Sequence, residues 1–273
     1  MERSTGAGTH EQATVEPPGP RPRSLRAVVF DADGVLIDSA GVHAAAWKRA
    51  FDACLRALAD RDSPQGRPFD DGDEYRRLVD GRSRVEGARS FLTSRGLYLP
   101  LGAPDDPPGC DTVWAVAARK DQMFVAALRE RPVRVFPEVP ETLHALRRAG
   151  VACAAASASR HAGELLAASR VAELLDAVVD GTEVARLGLP SKPDPALFLE
   201  TARRLAAPPS ASALVEDAAV GVEAARRGGF ALVIGVNRAG GRAGADRLRA
   251  CGADTVVENL TGLPGRIRRG SGP

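Results

Sequence analysis

The 273-residue chain lacks a long apolar run, a strong net charge, a cysteine cluster and any abundance of lysine. Without a stretch of about 20 apolar residues, nothing reads as a membrane-spanning helix. A formal net charge of +2 lends no support to a nucleic-acid or membrane-surface partner, and none is expected. Cys54, Cys110, Cys153 and Cys251 are far apart and match no metal-binding or redox spacing. They are expected as free thiols in a reducing cytoplasm. Residues 1–24 carry Pro17, Pro18, Pro20 and Pro22 but no apolar segment of the signal-peptide kind, so a disordered tail is expected there. A second flexible tail is expected at 265–273. No internal repeat is visible. Among the basic residues only Lys48, Lys120 and Lys192 are lysines. In an arginine-rich chain a lysine marks a place where a compact ammonium is wanted.

What is present is organised around Ala27-Val28-Val29-Phe30-Asp31-Ala32-Asp33-Gly34. The apolar run reads as a buried strand of a parallel sheet. Asp31 and Asp33 follow at its carboxyl end, where open α/β sheets bind ligands. Alternation along an extended chain sends both carboxylates to the same side, where their repulsion calls for a cation or a shared proton.

From Ala40 to about Arg131 the pattern is helix and loop without a clear strand. Val42, Trp47, Phe51, Cys54 and Leu58 mark one apolar helix face, with His43 one turn before Trp47. The Asp60–Asp73 and Leu97–Asp111 segments are polar or rich in Pro and Gly and read as loops. Beyond Pro132, short apolar runs at Val151–Ala156, Ala177–Val179, Ala213–Val215, Phe230–Val236 and Thr255–Val257 alternate with helical segments. This predicts an α/β fold: a Rossmann-like parallel-sheet core of residues 25–39 and 133–264, with an inserted helical cap of residues 40–132. Right-handed crossovers bring all strand carboxyl ends to one edge. Asp31, Asp33, Ser157, Glu216 and Asp217 should therefore converge.

The chemistry that needs such a set is phosphoryl transfer through an aspartyl phosphate. Asp31 is the expected nucleophile and Asp33 the general acid/base. Ser157 can donate to a phosphoryl oxygen, and Lys192 can neutralise developing charge. Asp31, Asp33, Glu216 and Asp217 form the expected metal set, with Mg²⁺ the cation suited to carboxylates and water. Each residue alone has an ordinary structural reading: a helix cap for Ser157 and Glu216-Asp217, a loop lysine for Lys192, a packed ring for His43.

Phe-Asp31-Ala-Asp33-Gly-Val-Leu-Ile-Asp-Ser39, Ser157, Ser191-Lys192-Pro193 and Glu216-Asp217 resemble the four motifs of the haloacid dehalogenase superfamily. His43 and Trp47, Gly81-x-Ser83-Arg84 and Arg119-Lys120 resemble its β-phosphoglucomutase-like branch. The resemblance implies that Arg84 grips a second phosphate and that His43 and Lys120 respond to cap closure. It also implies that Trp47, Ser159 and Arg160 help bind the substrate. Ser39 stands where that branch usually has threonine, and Arg160-His161 where it has lysine and asparagine. The expected partner is a small phosphosugar, acted on by a cytoplasmic monomer. Three readings stay open: a mutase acting on β-glucose 1-phosphate, a sugar-phosphate phosphatase, and a non-catalytic phosphosugar-binding protein.

Overall fold

Short runs of Val, Ile and Ala build six strands: β1 (Ala27–Asp31), β2 (Ala152–Ala156), β3 (Ala177–Val179), β4 (Ser212–Glu216), β5 (Leu232–Val236) and β6 (Thr255–Val257). The computed structural model describes residues 25–59, 63–130 and 132–269. The tail expected at 1–24 lies outside the described residues. The strands form one parallel sheet in the order β3-β2-β1-β4-β5-β6. The chain thus moves outward from β1 in one direction, returns, and moves outward from β4 in the other. The crevice at the carboxyl ends of β1 and β4 is the switch point where doubly wound sheets bind ligands.

β1 is buried at every position, as a strand covered on both faces must be. Val28 and Phe30 pack into one apolar layer with Leu143, Leu146 and Leu166. Val29 packs into the opposite layer with Phe198, Val222 and Leu248. Residues 265–269 of the expected flexible tail belong to the C-terminal helix Leu263–Arg269, and 270–273 lie outside the described residues. Leu263 and Ile267, one turn apart, are buried in the first apolar layer. A stripe of two apolar residues among arginines is too weak a signal to read as a docked helix from sequence.

Among the described residues the α-helices of the cap are α1 (Ala40–Leu58), α2 (Asp73–Leu78), α3 (Arg84–Ser94) and α4 (Val113–Glu130). They have their own core, in which Phe51 stacks on Trp47 and Phe91 at centroid distances of 4.6 and 4.0 Å, with Phe69 edge-on. Entry and exit segments of the cap run side by side, with the Asp38 amide donating to the Arg134 carbonyl at 2.8 Å. The Leu97–Asp111 segment has no regular structure but is pinned. The amides of Val113 and Trp114 donate to the carbonyls of Pro100 and Leu101, and Thr112 donates to Asp106.

The cysteine expectation is corrected here. Cys54 of α1 and Cys110 of the proline-rich loop form a disulfide, their Cα atoms 5.3 Å apart. Only Cys153 and Cys251 are free. A sequence separation of 56 residues gave spacing arguments no hold on the pair. Among the described residues no helix is long and apolar enough to cross a membrane.

Candidate active site

The register of the sheet brings the site together. Asp31 lies opposite Ala156, and Phe30 opposite Val215. Asp31 and Glu216 therefore sit at one level along the carboxyl edge, with Ser157 one residue beyond it. After Asp31 the chain does not stay extended. Leu36 and Ile37 donate back to the Ala32 carbonyl, and Gly34 adopts φ +78°. A Cβ on Gly34 would lie 1.9 Å from an Asp217 carboxylate oxygen, so glycine there both permits the turn and leaves room for Asp217. Arg238 fixes the turn from outside, donating to the carbonyls of Gly34 and Val35 at 2.8 and 2.6 Å while pairing with Glu138 at 2.8 Å.

The two aspartates line the same cavity, as alternation predicted, but they have separate partners. Lys192 Nζ donates to Asp31 Oδ1 at 2.7 Å and to Glu216 Oε2 at 2.8 Å, all three buried. The two carboxylates outweigh burial and hold Lys192 firmly protonated. Asp33 accepts from Ser39 at 2.5 Å, Ser157 at 2.7 Å and His43 Nε2 at 3.2 Å. Burial opposes its ionisation, but His43 and these hydrogen bonds prevail and keep Asp33 a carboxylate. His43 Nδ1 in turn receives Lys120 Nζ at 2.8 Å. Burial and the Lys120 ammonium hold the imidazole below its ordinary value and neutral, so the hydrogen bonds, rather than an imidazolium charge, carry the Asp33 effect. Burial also lowers the Lys120 ammonium to about 8.

Asp31, Glu216 and Asp217 present carboxylate oxygens all within 4.8 Å of one another. Asp33, included in the set expected from sequence, is turned to Ser39, Ser157 and His43 and stands outside this trio. The donor set fits a hard divalent cation. Three carboxylates share one ammonium, and burial and the neighbouring acids push Asp31 and Asp217 well above the usual carboxylate range. Residual negative charge of this kind is what a bound cation relieves.

The cap closes the other side. At Gly81, φ +72°, an added Cβ would lie 2.7 Å from Ala218 Cβ and 2.8 Å from Val220 Cγ2. The Ser83 amide donates to Ser191 Oγ at 3.0 Å. Asp31, Asp33, Ser157, Ser159, Arg160, Lys192, Glu216 and Asp217 from the core and His43, Trp47, Arg84 and Lys120 from the cap line one cavity. Lys120 Nζ lies 5.5 Å from the Trp47 ring centroid. Arg84 sits over Trp114 at 5.5 Å with its Nε buried and unpaired. Burial and Arg160 lower the guanidinium's proton affinity, as expected of cations gathered without an anion. Ser159 Oγ accepts weakly from the His161 amide at 3.4 Å.

Sequence reasoning missed Tyr75, Asp80, Arg82 and Asp121, which also line the cavity, and noted His161 only as a departure. Asp80 is raised to about 6 by burial and by Glu216. The run Asp80-Gly81-Arg82-Ser83-Arg84 was the available signal: three charges around one turn glycine, of which only Arg84 was used.

Comparison with known proteins agrees with this geometry. The family model for haloacid dehalogenase-like hydrolases matches residues 25–229. The chain is 41% identical over 242 residues to the β-phosphoglucomutase of Mycobacterium bovis, covering 89% of this chain and 92% of that one. It is 28% identical over 252 residues to protein CbbY of Cereibacter sphaeroides, with 88% and 96% covered. Among solved structures, a putative β-phosphoglucomutase from Bacteroides vulgatus superposes with a TM-score of 0.68 at 20% identity, covering 90% of this chain and 89% of that chain. The motifs, the switch-point carboxylates and the family match together make this chain an enzyme of the haloacid dehalogenase-like hydrolase family.

Proposed function

We propose that the enzyme isomerises β-glucose 1-phosphate to glucose 6-phosphate through phospho-Asp31 and a 1,6-bisphosphate. The observation that carries this reading is the chain Lys120–His43–Asp33, in which the acid/base candidate is organised by the cap. A mutase needs its phosphoenzyme to wait for a sugar hydroxyl rather than react with water. Tying the acid/base group to cap closure meets that need. The 41% identity to a β-phosphoglucomutase supports the same substrate class.

In this reading an Asp31 carboxylate oxygen forms a bond to the phosphoryl phosphorus as the bond to the donor oxygen breaks. In the reverse half, a sugar hydroxyl attacks phospho-Asp31 while the Asp33 carboxylate takes its proton. Asp33 later returns that proton to a departing oxygen. Lys192 and Ser157 stabilise the transferring group, and Arg84 and Arg160 hold the phosphate that is not reacting. Mg²⁺, held by Asp31, Glu216 and Asp217, would screen the phosphoryl oxygens from the carboxylates.

The test is an incubation with β-glucose 1-phosphate, catalytic glucose 1,6-bisphosphate and Mg²⁺, following glucose 6-phosphate and free phosphate together. Glucose 6-phosphate should predominate, and α-glucose 1-phosphate should be a poor substrate. The second reading, a sugar-phosphate phosphatase, is favoured by Arg160-His161 at the substrate end of the cavity. It replaces the first if glucose and phosphate are the main products without need of a bisphosphate.

A further inference from the structure

Besides Asp80, the cavity contains a second acidic side chain that phosphoryl transfer does not use. Asp121 projects from α4 of the cap, and its two oxygens face the core: Oδ1 pairs with His161 Nε2 at 2.8 Å, and Oδ2 lies 3.9 Å from Arg160 Nη1. Around it stand Arg84, whose Nε is buried and unpaired, and Lys120, whose ammonium is turned to His43. A carboxylate is a poor resident for a site that must receive a phosphate. The two anions repel, and they need the same donors.

We propose that Asp121 is a specificity-determining stand-in for the substrate's non-reacting phosphate: it engages His161, lies near Arg160, and must release them when the phosphate arrives. This rests on the reading above, in that the substrate carries a phosphate remote from Asp31. The pairing joins cap to core through a contact that the substrate phosphate has to break. A closed state satisfied by an internal anion lowers the apparent affinity for any phosphate that competes with it. A sugar without a phosphate remote from Asp31 cannot displace Asp121, so the exchange selects for phosphosugars and against neutral sugars. The ordinary alternative is a fixed latch between cap and core. The two differ in sign: removing a latch weakens binding, whereas removing a competing anion tightens it.

The experiment measures binding of glucose 1,6-bisphosphate by calorimetry, in Mg²⁺, to protein carrying Asp31→Asn so that no turnover occurs. Asp121→Asn and Asp121→Glu are compared in that background, with circular dichroism to verify folding. Asparagine keeps the shape and removes the charge, so affinity should rise about tenfold, the scale of one modest ion-pair competition. Glutamate keeps the charge and should stay within about twofold of the Asp121 protein. The tightening should fade at high salt, where charge competition is screened. Unchanged or weaker binding by Asp121→Asn overturns the proposal in favour of the latch. Failure of the sugar-phosphate reading looks different, since neither variant then binds the bisphosphate. Inorganic phosphate is the probe in that case, and the proposal stands only if Asp121→Asn binds it more tightly than Asp121→Glu.

Discussion

The core side and the cap side of the cavity are built on opposite principles. On the core side most of the polar groups are paired with one another, with Asp217 left facing the candidate cation site. Lys192 bridges Asp31 and Glu216, Ser157 serves Asp33, and the other oxygen of Glu216 accepts from the Ala218 amide at 3.0 Å. On the cap side Arg82 and Arg84 have buried Nε atoms without partners. A fully paired buried network is rigid and position-specific, whereas unpaired donors are an unmet demand. On the proposed reading the difference divides the labour: the core holds atoms where bonds form and break, and the cap waits for the rest of the substrate.

The strongest way to break this division is to remove Asp31, the proposed nucleophile. Asp31→Asn should abolish turnover of every phosphoester, by several orders of magnitude, because no other side chain is placed to form the covalent intermediate. Steady-state assays on a phosphosugar and on a small aryl phosphate measure it. Activity within about tenfold of the unaltered enzyme on either substrate would remove Asp31 from its role.

Gly34→Ala attacks the matched geometry without touching a catalytic group. The new Cβ meets Asp217 at the Gly34 φ of +78°, so Asp217 must shift while the backbone is strained by about 1–2 kcal/mol. The Mg²⁺ concentration giving half-maximal activity should rise by at least about tenfold, with a lowered melting temperature. An unchanged Mg²⁺ titration would show that Asp217 is not needed where it stands.

Arg84→Ala tests the cap side. The loss should be about tenfold to a hundredfold in kcat/KM for a phosphosugar and within about threefold for a small aryl phosphate, which offers the cap nothing to grip. Equal losses on both substrates would make Arg84 a structural residue of α3.

The same asymmetry decided what could be read from sequence. Core positions were legible because each lies at the end of a short apolar run, and a parallel sheet forces such ends to one edge. Asp31, Ser157 and Glu216 needed only that rule. The separate partners of the two aspartates were not legible, since an Asp-x-Asp pattern does not say which donors each carboxylate meets. Cap positions follow no such rule: a helix insertion presents any of several faces to the cavity. Trp47 and Lys120 lie on helices whose stripes were visible, but Asp121, next to Lys120, carries no periodic signal. The Cys54–Cys110 pair was hidden for the same reason, one partner being on a helix and the other in a loop.

The smallest predicted effect sits where the two sides meet. Lys120 belongs to the cap, but through His43 it reaches Asp33 of the core. Burial brings its ammonium down to about 8, against about 10.4 for a free lysine. Above pH 8 the amine is neutral and no longer offsets the charge of Asp33 and the substrate phosphate. kcat/KM should then fall with an alkaline limb near pH 8, reaching about tenfold by pH 9. The stability effect has the opposite sign. Between about pH 8 and 10.4 the unfolded chain holds the proton that the folded one has lost, so this group's contribution to stability rises with pH. Loss of activity on that limb should therefore occur without a fall in stability from this residue. Lys120→Met should remove the limb and leave a lower, flatter profile. An alkaline limb that survives unchanged in Lys120→Met would assign the titration to another group and separate the cap from the acid/base step.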